Sequence, residues 1–432
     1  MNYQRELIEK YETDVFIAGG GAAGVAAAIS AARMGKKVFL AESLGCFVGL
    51  GTSGLVPVFA PFSDGEKLIA CGIGLEIRNN VSKDFPLDTY WSPIDAEELK
   101  REYDRIMTEA GVKFSFFTTV YDVITTDGRI DCVILGSKSG LFSIKAKIYI
   151  DCTGDGDLSA YAGAQFELGD KDGNVMPQTL CSTWTFVDIN NTDDFQSNKY
   201  IEDAYANGIL SQEDRHLPGF FHRADGVSCG NLGHTFGVNP IDETSLTDAM
   251  IKGRKLILEY EKYYKTYFKG YQNMRLCATA SILGVRESRR IICDYTLNVN
   301  DFRSRAVFED EIGRYCYPVD IHVMTTDKEE YERFEKEYLS DLRYASGESY
   351  GIPYRCLIPR GLSNLLVAGR CIGTDRQMQA SIRVMPGCFL TGQAAGAAAA
   401  LAADNENVRS VDIKELQSSL IKLGAYLPNA KV

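Results

Sequence analysis

The 432-residue chain carries 46 basic against 58 acidic side chains, a formal charge of −12, and a pI near 5.0. That balance excludes a nucleic-acid or anionic-membrane binder unless a local basic patch carries the contact, while 40 glycines and 45% hydrophobic residues describe a turn-rich globular chain of two or three domains. The twelve cysteines lie scattered from Cys46 to Cys388 with no CxxC pair, so no metal site is expected and the thiols read as free and mostly buried.

The N-terminal stretch, Met1 to Thr13, is polar and lacks the apolar segment of a secretory signal, which predicts a cytoplasmic protein. Val15 to Ala18 then form an apolar run of the kind a strand buried on both faces shows. A helix is expected from Ala22 to about Met34 and a second strand from Lys37 to Ala41. Between them stands GxGxxG. Gly19 permits the tight turn, Gly21 lets backbone approach a pyrophosphate at the helix start beside Ala22 and Ala23, and Gly24 lets the helix pack closely. Glu42 ends the second strand, 18 residues after Gly24, where a carboxylate binds ribose hydroxyls. Gly49, Gly51 and Gly54 match the pattern again, but without a clear strand before or helix after, and read as a loop. Cys46 has no second cysteine four or five residues on, which excludes a redox-active pair.

Ser92-Pro93 and the following DAEELKREYDRIMTEAG predict a capped surface helix ending at Gly111. Phe114 to Thr119 read as a strand, and alternating segments from Val120 to Ala146 are broken by the turn signals Asp127-Gly128 and Ser139-Gly140. Ile148 to Ile150 resume a buried strand before the turn DCTGDGDL. From about Ala164 the texture changes, with TLCSTWTFVDI as a long strand and an irregular stretch from Arg215 to Gly237 that holds three of the four histidines. A helix is expected from near Ser245, boxed by Asp248, to about Tyr264. NLLVAG, from Asn364, resumes the first fold, and Pro386 opens a buried Ala-rich helix too short and interrupted to span a membrane.

With these segments in place, the chain resembles the FAD-dependent oxidoreductase family that groups with fumarate reductase-like and glucose-inhibited-division-protein-like flavoproteins. The resemblance rests on the fingerprint, TSGLVPVF, DCTGDGDL, GVRESRRI, YPVDIH and the stretch from Ile352 to Gly396. One departure is Val48-Gly49, where the family has a glycine pair. The resemblance implies an α/β, Rossmann-like FAD/NAD(P)-binding fold with a parallel sheet and an antiparallel β-meander crossover, plus an inserted α+β substrate or cap domain. The expected division is 1–163 and 353–432 for the FAD-binding domain, with 164–352 as the insert. It further implies FAD held by the fingerprint, Glu42, Thr52, Val120, Thr153, Gly154, Gly369, Asp375 and the helix start at Met385 to Gly387. Asp157 reads as a cap of a helix opening at Leu158 in preference to a direct contact. No second complete dinucleotide unit follows, so electrons are expected from the substrate or a separate partner.

GVRESRRI concentrates three guanidinium groups, which either clamp a carboxylate substrate or form a salt-bridged strand with Glu287. If the segment is extended, Arg286 and Ser288 share one face with Glu287 and Arg289 opposite. Asp320 and His322 lie two apart in YPVDIH, and a histidine beside a flavin suits proton transfer. His234 is a weaker candidate of the same kind. Arg286, His322 and Arg383 are the expected catalytic residues, with Tyr354 and Arg355 also placed near the site by resemblance. The expected activity is hydride transfer between flavin N5 and a small polar metabolite, with a carboxylate-bearing one among the candidates. The alternatives are a flavoprotein subunit passing electrons to or from a partner, or a flavin-dependent isomerase. A small-molecule substrate and an unidentified electron acceptor or donor complete the expected partners; homo-oligomerisation stays open.

Overall fold

The computed structural model describes residues 6–431 except 84–85, 87–90, 194–195 and 225. Its spine is β1 (Ile8–Ala18), α1 (Ala22–Arg33) and β2 (Val38–Ala41). Val15 to Ala18 are fully buried because β1 is paired on both sides, parallel to β2 and parallel to Gly140–Asp151. Lys113–Ser115 extends the sheet beyond β2, and Leu365–Val367 pairs in parallel with the end of Gly140–Asp151. The strands nearest the site thus come from both ends of the chain.

The meander is built as its turns predict. Asp127 and Gly128 both take positive φ, 48° and 74°, the combination a type I′ hairpin needs. Thr118–Thr126 pairs with Arg129–Ser137, and that strand pairs in turn with Gly140–Asp151, both antiparallel. The last strand is one continuous element whose first part closes the meander and whose second part enters the parallel layer.

The Ala-rich helix, Met385–Ala402, lies directly on α1. A Cβ on Gly392 would fall 2.1 Å from the Ala23 carbonyl oxygen, and one on Gly396 would fall 2.1 Å from that of Ala27. These two glycines, one helical turn apart, let the backbones touch. Ser30 Oγ donates to the Gln393 carbonyl at 2.8 Å across the same contact. A bent pair, Arg376–Ile382 with Met385–Ala402, turns by 94° and has the composition of a broken span, but both helices are largely buried in the protein. Among the described residues no single helix is long and apolar enough to cross a membrane.

A second core gathers Leu180, Trp184, Phe220, Leu256, Tyr260, Tyr263, Tyr264 and Val285, whereas Ile291 through Leu362 supply side chains to the first core. Several local expectations change here. TLCSTWTFVDI forms only a short strand, Ser182–Thr185, and the stretch expected to be irregular contains a hairpin, Gly219–Ala224 with Val227–Asn231. The long helix runs Glu243–Tyr267 and is capped by Asp242, which accepts from Ser245 N at 2.7 Å; Ser245 itself is already helical. Ser92-Pro93 pairs as a short strand with Val58–Phe59, and Asp95 caps the helix Ala96–Glu109.

Gly396→Val is expected to lower stability by about 3 kcal/mol or more, because a side chain there meets backbone that cannot rotate away. Thermal unfolding beside Lys252→Ala, an exposed helical control, tests it; equal melting temperatures would show that the helices can separate freely.

Candidate active site

A cavity of about 1020 Å³ runs from the start of α1 into the region between the two cores. At one end it is lined by Gly19 to Ala23, Glu42, Val48 to Leu50 and Val120. Gly19 holds φ at +92°, and a Cβ there would sit 2.5 Å from the Cys152 carbonyl oxygen; one on Gly21 would come within 3.1 Å of the Val48 carbonyl oxygen. Only glycine keeps this cradle open. Gly21 is the N-cap of α1 and brings no side chain to the first-turn amides, so those donors and the positive end of the helix dipole remain for an anionic group. Glu42, 4% exposed, accepts from Gly20 N at 2.7 Å through one oxygen and from Ser43 Oγ and Leu44 N at 2.9 Å through the other. It therefore locks the glycine turn while lining the cavity.

Farther along stand Thr153, Gly154, Gly369 and Met385. Gly154 and Gly369 both have positive φ, 78° and 81°. Thr153 is fixed by Asp151, whose Oδ1 accepts from its N and Oγ1 at 3.0 and 2.7 Å. Arg370, not singled out from sequence, ties Asp155 at 2.6 Å and the Val285 carbonyl at 2.9 Å, joining this wall to the arginine segment.

Several expected positions serve elsewhere. Gly24 keeps the packing role read from sequence, since its Cβ would lie 1.9 Å from the Gly19 carbonyl oxygen, and it does not itself line the cavity. Thr52 turns inward to donate to the Phe47 carbonyl at 3.0 Å. Asp375 caps Arg376–Ile382, accepting from Met378 N at 2.7 Å and from Val299 N at 2.8 Å. Gly387 lies in the uncapped first turn of Met385–Ala402, and a Cβ there would fall 2.3 Å from the Ile382 carbonyl oxygen. Tyr354 donates to the Val408 carbonyl and Arg355 pairs with Asp310, both away from the cavity. Asp157 is no cap: Gly156 is the N-cap, and Asp157 lines the cavity with Oδ1 held by Arg289 at 2.7 Å.

The arginine segment divides by partner. Arg290 bridges Glu287 and Glu167, Arg376 also holds Glu287, and Arg289 holds Asp157. These are structural pairs. Regular strand begins only at Arg289, and Arg286 faces the cavity without Ser288, whose hydroxyl donates to the Gly154 carbonyl. Arg286 Nη1 donates to the Pro177 carbonyl and Thr179 Oγ1, each at 2.9 Å, while Nε and Nη2 have no hydrogen-bond partner among the described residues. Burial, with Arg383 nearby, brings its pKa down to about 10, which leaves it charged at neutral pH.

Beside it, Arg383 Nη2 lies 3.2 Å from Asp320 Oδ2, and the same oxygen is 3.5 Å from His322 Nε2. Burial pushes Asp320 up, but His322, Arg383 and His216 together hold it well below the usual carboxylate range. Burial, reinforced by Arg286 and His216, holds His322 well below the usual imidazole range. His216 stacks on His322 with ring centroids 4.1 Å apart, and burial takes its pKa down to about 4. His322 Nδ1 meets His234 Nε2 at 2.8 Å, and His234 Nδ1 meets both oxygens of Asp214 at 2.9 Å. His234 thus stands behind His322, and Asp214 and His216 are members of the cluster that sequence reading missed. Their only sequence signal is the Asp214-Arg215-His216 run; the contact that matters joins residues 88 apart.

The donor atoms of His216, Asp320 and His322 fall within 4.8 Å of one another, a spacing that invites a metal ion. Arg383 already occupies Asp320 Oδ2, and Arg286 faces the same space, so a divalent cation would meet two guanidinium groups. An anion is favoured there.

The family model for FAD dependent oxidoreductases matches residues 14–420. The chain belongs to that family. It is a flavoenzyme, an oxidoreductase whose cofactor is FAD. Among individual relatives, it is 27% identical over 223 residues to the thiamine thiazole synthase of Methanothermobacter thermautotrophicus, an overlap of 48% of this chain and 83% of that one. It is 30% identical over 166 residues to the thiamine thiazole synthase of Pyrococcus horikoshii, an overlap of 36% and 62%. Among solved structures, a geranylgeranyl bacteriochlorophyll reductase-like protein from Thermoplasma acidophilum aligns with 96% of this chain and 83% of its own, at 12% identity and a TM-score of 0.49. The glycine cradle, the uncapped helix start and the buried Glu42 suit the pyrophosphate and ribose of FAD.

Burial raises Asp157 to about 6, with Asp155 and Asp151 adding and Arg289 opposing, from an ordinary value of 3.8. The folded protein therefore binds more protons than the unfolded chain between those values, and stability falls as pH rises through that window. Asp157→Asn removes this loss. Its melting temperature is expected to gain on the native protein from about pH 4 to about pH 6 and to hold that lead above; parallel thermal melts across the range test it, and a constant difference would contradict it.

Proposed function

We propose that this flavoenzyme transfers a hydride between flavin N5 and a carbon of a small, polar, carboxylate-bearing metabolite. The observation that carries the reading is the convergence of Arg286, Arg383, Asp320 and His322 on the cavity that begins at the glycine cradle. Gly19, Gly21 and the first turn of α1 would hold the pyrophosphate of FAD, Glu42 the adenosine ribose, and Thr153, Gly154, Gly369 and Met385 the remainder of the cofactor. FAD, when bound, supplies the two-electron chemistry.

The chain's own residues do the rest. Arg286 keeps Nε and Nη2 for a ligand, since among the described residues only its Nη1 is engaged, and a planar guanidinium matches a carboxylate in two-point contact. Arg383 is anchored by Asp320 and balances its charge. His322 is neutral, and its Nε2 is the atom beside Asp320 on the cavity side. It takes a proton from a substrate hydroxyl in oxidation, or returns one in reduction. Leu217, Phe221, Leu246 and Met250 contribute apolar walls that limit water around these charges.

Anaerobic titration of the purified protein with hydroxy, keto and unsaturated acids, sugars and nicotinamides tests the reading. Stoichiometric bleaching of the flavin by one acid class is the expected result. Bleaching by nicotinamide or strong reductant alone would favour a reductase or partner-fed subunit, and turnover without an acceptor an isomerase. Arg286→Gln is expected to keep its flavin and weaken the response to the acid by about 10- to 100-fold, the loss of one charged hydrogen bond. Glu42→Ala should instead weaken FAD retention by a similar factor, read by flavin release on dilution. An Arg286→Gln protein that loses flavin would make the arginine structural.

A further inference from the structure

The His234–His322 hydrogen bond passes through a wall. His322 lines the large cavity, whereas His234 and Asp214 line a separate void of about 10 Å³, about the space of one water molecule. That void is also bounded by Thr325 and Thr326, both exposed. We propose that Asp214, His234 and His322 form a proton relay connecting the active-site cavity with this outer void, in which Asp214 and His234 are positioning residues that set which nitrogen of His322 is basic. The proposal rests on the reading of His322 as the proton-handling residue and adds the route by which its proton comes and goes.

The protonation pattern follows from the end of the chain of bonds. Asp214 presents both carboxylate oxygens to His234 Nδ1, so that nitrogen carries hydrogen. With that one hydrogen on the His234 ring its Nε2 is bare, and the 2.8 Å contact is made by His322 donating from Nδ1. In that neutral form His322 Nε2 carries only its lone pair toward Asp320 Oδ2 at 3.5 Å, and this contact becomes a hydrogen bond only when Nε2 is protonated. When Nε2 takes a proton, the breaking O–H bond of a donor is replaced by N–H. The Nδ1 hydrogen can then pass to His234 Nε2, with one N–H broken and one formed. The added positive charge is flanked by Asp320 at one end and Asp214 at the other. No oxidant or reductant enters this step.

The surroundings hold the rings to these roles. His216 stacks on His322, Arg286 and Arg383 lie in the same cavity, and Tyr331 and Tyr338 line it from Lys328–Asp341. Tyr317 donates to Asp320 at 3.2 Å. Tyr331 also borders the outer void. His234 and Asp214 are each 2% exposed, so the tautomer is set by protein partners and not by bulk water.

The test needs no substrate. The chain has four histidines, and histidine-selective ¹⁵N labelling of the FAD-loaded protein reads the hydrogen on each ring nitrogen by one-bond N–H coupling. At alkaline pH, coupling is expected on Nδ1 of both His234 and His322 and none on His322 Nε2. Asp214→Asn should shift coupling on His322 from Nδ1 toward Nε2, because its amide can donate to His234 as well as accept, whereas the carboxylate only accepts; Asp214→Glu should restore the native pattern. Coupling on His322 Nε2 in the native protein at alkaline pH, or a divalent metal bound at that nitrogen, would each overturn the relay. These readings come from the native protein even if the variants fail to fold. A fruitless substrate screen would count against the hydride reading alone, and a wrong tautomer against the relay alone.

Discussion

The backbone contact between α1 and Met385–Ala402 is the constraint on which the rest of the molecule depends. It requires glycine at 392 and 396, because a Cβ at either would lie 2.1 Å from a carbonyl oxygen of α1. With the helices that close, Met385 at the start of one and Ala22 and Ala23 at the start of the other line the same cavity. A larger spacing would pull those two walls apart. The same contact brings the C-terminal strand Leu365–Val367 into the sheet that carries β1.

The second organising fact is electrostatic. Among the described residues, some buried charges close in ion pairs and others are left open. Arg290 with Glu287, and Arg314 with Glu311, close on themselves in the core. Arg286 does not, and with Arg383, Asp320 and the histidines it forms a cluster left open toward the cavity. Keeping an ion pair incomplete in a buried site costs stability, and such incompleteness is a mark of a place prepared for a ligand.

The dinucleotide fold was legible because each of its devices is local. A strand, a glycine turn, a small-residue helix and a terminal acid lie within Asp14 to Glu42, and the hairpin turns announce themselves as Asp127-Gly128 and Ser139-Gly140. Arg286, His322 and Arg383 were also reached, and all three line the cavity. The misses share a cause. Asp375 and Thr52 sit next to cofactor-lining segments in sequence but turn their groups to a cap and a loop, and nothing local reveals which way they turn. Asp214 and His216 became visible only once the chain had brought residues 214–216 against 320–322. The second core was blurred for the same reason: its hairpin is rich in glycine, histidine and aromatic residues, and its register is set by the long helix packed on it.

The parallel sheet also orders events in the life of the chain. Gly140–Asp151 is flanked by β1, made early in synthesis, and by Leu365–Val367, made late. The cavity that suits FAD needs residues from both ends, Gly19 and Glu42 at one and Gly369 and Met385 at the other. Contacts so distant in sequence form slowly and after local ones, and domains acquire their structure as the chain emerges. The cavity that suits FAD is therefore complete only once the C-terminal strand and helix have docked on the early-made β1, α1 and Gly140–Asp151.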